Sequence, residues 1–91
     1  MPLDFRRLEE DVRRTQVQCI FNQLTAGLTF ARMVRRLEGE QRARTLGQAH
    51  AAYNAALRFV DRVTMTDSDA QRVRRELETL KKRLEELGET F

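Results

Sequence analysis

The chain has one cysteine, one proline, one histidine and no tryptophan among its 91 residues, and only four glycines. Each scarcity excludes something. A lone Cys19 cannot close an internal disulfide, which suits a reducing compartment. A lone His50 lacks the further ligands a metal site would need, and the residue three before it is Gly47, so the Glu-x-x-His pair of a di-iron bundle is missing as well. With so little Gly and Pro there is little material for strands and tight turns. Long hydrophobic runs are also lacking. The uncharged stretch from Thr15 to Ala31 falls short of the ~20 residues a bilayer span needs and contains Gln16, Gln18, Asn22 and Gln23, so no membrane segment is expected. Charge arrives at Asp4, before any apolar core of signal-peptide length, and the sequence is read as cytoplasmic.

Charge of either sign is plentiful, and the net of +3 is mild. It is unevenly placed: residues 1–38 carry seven Arg against five acids, 39–64 four against two, and 65–91 six bases against seven acids. Such a balance permits a weak anionic partner without requiring one.

What the chain does have is helical periodicity. Ala70, Val73, Leu77, Leu80, Leu84 and Leu87 recur in alternating steps of three and four, the pattern of a helix seam. Breaks in composition fall at Gly39 and over Thr64–Ser68, which predicts three helices near residues 4–38, 40–63 and 67–88. Asp4 and Thr66 are placed as N-caps, Asp69 completes an approximate capping box with Thr66, and Gly88 is placed to end the third helix. The fold expected is all-α: a three-helix antiparallel bundle, made of a long helical hairpin and a C-terminal amphipathic helix, in one domain over residues 1–91 and completed by dimerisation. Its expected core is Leu24, Leu28, Leu46, Tyr53, Leu57, Val60, Val73, Leu77, Leu80 and Leu84.

The first helix is apolar on two opposed sides. Phe5, Leu8, Val12, Cys19, Ala26, Phe30, Met33 and Leu37 share one stripe; Val17, Ile20, Phe21, Leu24, Leu28 and Ala31 lie nearly opposite. A helix apolar on both sides has to be covered on both. The simplest second cover is another copy of the chain, so Phe5, Leu8, Val12, Cys19, Phe30 and Met33 form the candidate interface of a homodimer. A break at Gly27, letting each half show one face to a shared core, is the competing account. The second helix pairs a bulky stripe (Leu46, His50, Tyr53, Leu57, Val60) with an alanine-rich one (Ala49, Ala52, Ala56, Phe59, Val63) that would admit a close neighbour, and is expected to be central. The third has one apolar stripe and a charged outer surface with several i to i+4 pairs expected.

Catalysis needs ionisable groups converging on one point, and none does so here. His50 reads as a core or edge histidine with one hydrogen-bond partner, Tyr53 or Asn54 or a backbone group. Cys19 has no cation within a helical turn and reads as buried packing. Glu9, Glu10 and Asp11 are consecutive on a helix and point apart, a solvated face paired with Arg6, Arg7, Arg13 and Arg14. No catalytic, cofactor-binding or metal-binding residue is assigned. Arg32, Arg35, Arg36, Arg42 and Arg44 bracket Gly39 and form a candidate basic patch, the basis of an alternative reading as a nucleic-acid-binding module. Against it stand the small net charge, Glu38 and Glu40 inside the cluster, and the favourable place of Arg35 and Arg36 at a helix C-terminus.

From Gln16 to Val63 the chain resembles a helical hairpin of the tetratricopeptide kind: a helix, a turn at Gly39-Glu40, and a helix carrying Ala43, Ala49, Ala52, Tyr53 and Ala56. It departs from that family in having Arg44 where a small alanine is usual, in its longer helices and in lacking the closing proline. Thr29-Phe30-Ala31, the Gly39 turn and Ala51-Ala52-Tyr53 are similar to small bacterial helical proteins of unknown function. The first resemblance implies a protein-binding scaffold and the second a bacterial, cytoplasmic, non-enzymatic protein; neither supplies binding residues, and the reading of the residues is a non-enzymatic protein-interaction or scaffold module without cofactor.

Overall fold

The computed structural model describes residues 4–91, and the expectations that touch residues 1–3 lie outside it. Three helices follow in order: α1 over Phe5–Val34, α2 over Gly39–Val60 and α3 over Asp67–Glu86. No strand occurs among the described residues. Local chemistry sets the ends. The Asp4 carboxylate accepts from the Arg7 backbone N–H and Thr66 Oγ1 accepts from that of Asp69, each satisfying a donor that the first helical turn leaves free. At the far end of α3, Gly88 takes φ 96°, its N–H donates to the Glu85 carbonyl and the Glu89 N–H reaches the Leu84 carbonyl. That pair of bonds is a Schellman close, and it turns the chain back toward α2.

α1 and α2 are shorter than the sequence predicts. After Val34 the chain tightens: the N–H groups of Arg36 and Leu37 donate to Met33 and Val34, three residues back rather than four. This draws Leu37 half inward and leaves Glu38 extended as the residue before α2. Gly39 then opens α2 at φ 61°, a left-handed conformation in which a side chain would be strained. α2 likewise ends at Val60 rather than residue 63, with the Arg62 N–H on the Phe59 carbonyl, so that Val63 and Met65 leave the helix yet pack against the core.

The core is one cluster drawn from all three helices, with Ile20, Leu24, Ala49, Ala56, Val73, Leu80 and Leu84 fully enclosed. Of the expected core, Leu24, Tyr53, Val73, Leu77, Leu80 and Leu84 are buried, and Leu28, Leu46 and Val60 are half-buried and packed against it. Leu57 is a correction: it is exposed, because α2 and α3 touch too little for α3 to cover it. α2 touches both other helices, as expected of it, and α1 touches both somewhat more extensively. Its middle explains how. α1 runs unbroken through the buried Gly27, where a β-carbon would stand 2.6 Å from Leu80 Cδ2, 3.3 Å from Ala52 Cβ and 3.5 Å from the Ala49 carbonyl oxygen. Gly27 is therefore the point where three helices meet, and the account in which it breaks α1 is overturned. The alanine stripe of α2 provides the complementary hollow.

Candidate functional site on the outer face of the first helix

Each α-helical residue advances by about 100°, so two sets of side chains on α1 can be placed by arithmetic. Val17, Ile20, Phe21, Leu24, Gly27, Ala31 and Val34 are buried against α2 and α3. Phe5, Leu8, Val12, Cys19, Ala26, Phe30 and Met33 all fall within about 40° of the direction of Cys19, on the side those neighbours leave open. Phe5 is 68% exposed, Val12 55%, Leu8 47% and Met33 46%. Two members differ from expectation. Cys19 is exposed rather than buried, because it sits on this outer row and no segment crosses it. Phe30 is only half exposed, since it also packs against the core.

Toward its N-terminus α1 passes the turn between α2 and α3. There Phe5, Leu8 and Val12 line a groove with Arg62 and Thr64. The residues that would continue the inner face in this part of the helix are charged, Arg6, Glu10 and Arg13, all exposed. The apolar side of the first turns is thus the outer one alone. On α2, Phe59 is also 44% exposed, two turns beyond Ala52 in the row that meets Gly27.

The remaining candidate groups stay apart. His50 is half-buried with Nδ1 3.5 Å from Glu89 Oε1, and its ring lies 4.7 Å from that of Phe91. Phe91 also meets Tyr53 edge-on at 5.0 Å, with Lys81 Nζ 5.6 Å from its ring. His50 is an edge histidine whose partner is Glu89, brought from far along the chain by the Gly88 turn, and not Tyr53 or Asn54. Periodicity carries no signal for that contact. Arg32, Arg35, Arg36 and Arg44 are exposed at the α1–α2 end, Arg42 is half-buried, and Arg35 lies 3.8 Å from Glu86. Among the described residues, Glu9, Glu10 and Asp11 have no ion-pair partner within 4.0 Å, and α3 has one i to i+4 pair, Arg72–Glu76, rather than several. Arg72 also covers the Phe21 ring at 4.3 Å. No group of three or more His, Cys, Asp or Glu among the described residues could hold a metal ion, and no helix there is long and apolar enough to cross a membrane.

Comparison with protein-family models, with curated proteins and with solved structures gave no match. The tetratricopeptide-like outline of α1 and α2 therefore stands on the sequence alone.

Proposed function

We propose that the protein is a non-enzymatic interaction or scaffold module that works as a homodimer, with the outer face of α1 as its interface. One observation carries this reading: Phe5, Leu8, Val12 and Met33 stay in water on a helix whose other side is already covered. Burying each large side chain is worth roughly 1.5–3 kcal/mol, while exposed ion pairs return at most about 1 kcal/mol. An apolar row of this kind is a feature of interaction surfaces. The scattered ionisable groups supply no second site to compete with it.

Sedimentation equilibrium at micromolar concentration should report about twice the 10.7 kDa chain mass. Leu8→Glu with Val12→Glu should return the monomer with unchanged far-UV circular dichroism. A wild-type monomer up to high micromolar concentration overturns the reading. Salt-sensitive retention on DNA or RNA by that monomer, lost on changing Arg36 and Arg44, would put the nucleic-acid alternative in its place.

A further inference from the structure

We propose that a proton on His50 docks the short segment after α3: with the imidazole charged, Glu89 and Phe91 are held against α2, and with it neutral that hold slackens. The device is independent of the homodimer reading, since it lies where α2 faces the end of α3 and not on the outer row of α1. Three features meet at one imidazole. His50 Nδ1 stands 3.5 Å from Glu89 Oε1, the His50 and Phe91 rings lie 4.7 Å apart with their planes tilted by 32°, and Phe91 rests edge-on against Tyr53. The Gly88 turn delivers them, because its N–H and that of Glu89 are tied to carbonyls at the end of α3 and so fix where the carboxylate arrives. The His50 side chain is 25% exposed and that of Glu89 26%, so the pair is screened less than one in open water. Phe91 itself stays 51% exposed. Its hold on α2 is therefore partial, and a change of charge at His50 is enough to shift it.

Histidine is the side chain whose charge ordinarily changes between pH 5 and 8. Its two forms meet Glu89 differently. The imidazolium carries a proton on each nitrogen, so Nδ1 donates to the carboxylate while the ring brings a cation to the Phe91 face. The neutral ring carries only one. On Nε2 it leaves the Nδ1 lone pair facing a carboxylate oxygen, and on Nδ1 it gives a hydrogen bond without the charge. A docked segment that favours the proton is favoured by it in return, so docking strengthens as pH falls from about 8 to about 5.5. It weakens again only near pH 4, where carboxylates ordinarily take protons.

The other groups at this corner do not supply the same dependence. His50 lies at least about 100° round α2 from Ala49 and Ala52, which meet Gly27 of α1, so the groups facing it come from α2, α3 and the segment beyond. On α2 the positions one turn away are Leu46, Gly47, Tyr53 and Asn54. From α3, Lys81 Nζ stands 5.6 Å from the Phe91 ring, and Glu85, one turn on, is exposed. Phenols, lysine amines and carboxylates ordinarily titrate outside pH 5–8, which leaves the imidazole.

NMR on the full chain reads docking directly, because the carbon-bound ring protons of His50, the one histidine, and of Phe91 do not exchange with water. Nuclear Overhauser contacts between the two rings should be strong at about pH 5.5 and fall at least about twofold by about pH 8. Glu89→Gln keeps the shape, removes the charge and should flatten most of that change. In His50→Gln the contact between Phe91 and Tyr53 should be the same at both pH values. Wild-type ring contacts of equal strength at the two pH values overturn the proposal, as does a strengthening toward the higher one. A pH dependence that survives in His50→Gln places the proton elsewhere and overturns it as well. Far-UV circular dichroism of each variant at both pH values confirms that the helices are unchanged and that docking alone is compared.

Discussion

The two faces of α1 have nearly the same hydrophobic content and opposite fates. The inner face, with Ile20, Leu24 and Val34 at zero exposure, lies under α2 and α3. The outer face leaves Phe5, Leu8, Val12 and Met33 largely exposed, with Arg62 and Thr64 beside its first turns. The difference comes from geometry rather than from residue type. Gly27, on the inner side, lets the backbones approach, and α2 and α3 both meet α1 there. A stripe that binds the fold and a stripe left over for another molecule thus look alike to a hydrophobicity pattern, and only the position of the small residues separates them.

Substitutions should respond to this asymmetry, from large effects to small. Leu24→Ala removes a fully enclosed side chain and is expected to lower unfolding free energy by about 2–5 kcal/mol, measured by urea titration. Gly27→Val should cost about 1–3 kcal/mol by overpacking, since even its first carbon would press on Leu80 and Ala52. If Gly27→Val were harmless, the three-helix crossing would be misplaced. Thr66→Ala should cost about 1 kcal/mol through the lost cap of α3, seen in the same titration. Gly47→Ala should go the other way and stabilise by up to ~1 kcal/mol, because Gly47 lies within α2 with nothing within 4 Å of an added β-carbon. The smallest effect belongs to the outer face: Val12→Ala, measured below the concentration at which copies pair, should stay within about 0.5 kcal/mol of wild type. A loss comparable to that of Leu24→Ala would erase the distinction between the faces.

Much of this was legible in the residues. The three helices, the caps at Asp4 and Thr66, the glycine close at Gly88 and the two-sided character of α1 all depend on near neighbours in sequence, where spacing and local hydrogen bonding decide. The misjudged features depend on which helix lies opposite. Leu57 shares a stripe with Tyr53 and Val60, but a stripe gives a direction and not the presence of a neighbour along its whole length, and α3 does not reach over Leu57. Cys19 reads as packing from its uncharged surroundings, although its azimuth is close to that of Phe5 and Val12 and it is exposed. Gly27 reads as a possible break until Leu80 and Ala52 are seen against it. The candidate site itself is legible as a row of residues; that Phe30 leans into the core required the packing of the helices.

The reversal at Gly88 has a bearing on the order in which the molecule comes apart. α2 and α3 make the least extensive contact of the three pairs, yet Phe91 rests on His50 and Tyr53 and the Glu89 carboxylate reaches His50. Glu89 and Phe91, beyond the end of α3, therefore act as a latch across a seam that the helices themselves leave loose. When the latch lets go, α3 retains only its grip on α1, whereas the α1·α2 hairpin keeps its more extensive packing. Amide protons of α3 should then exchange with solvent through a partial opening that leaves the hairpin intact, and Phe91→Ala should quicken that exchange in α3 ahead of any change in α1 or α2.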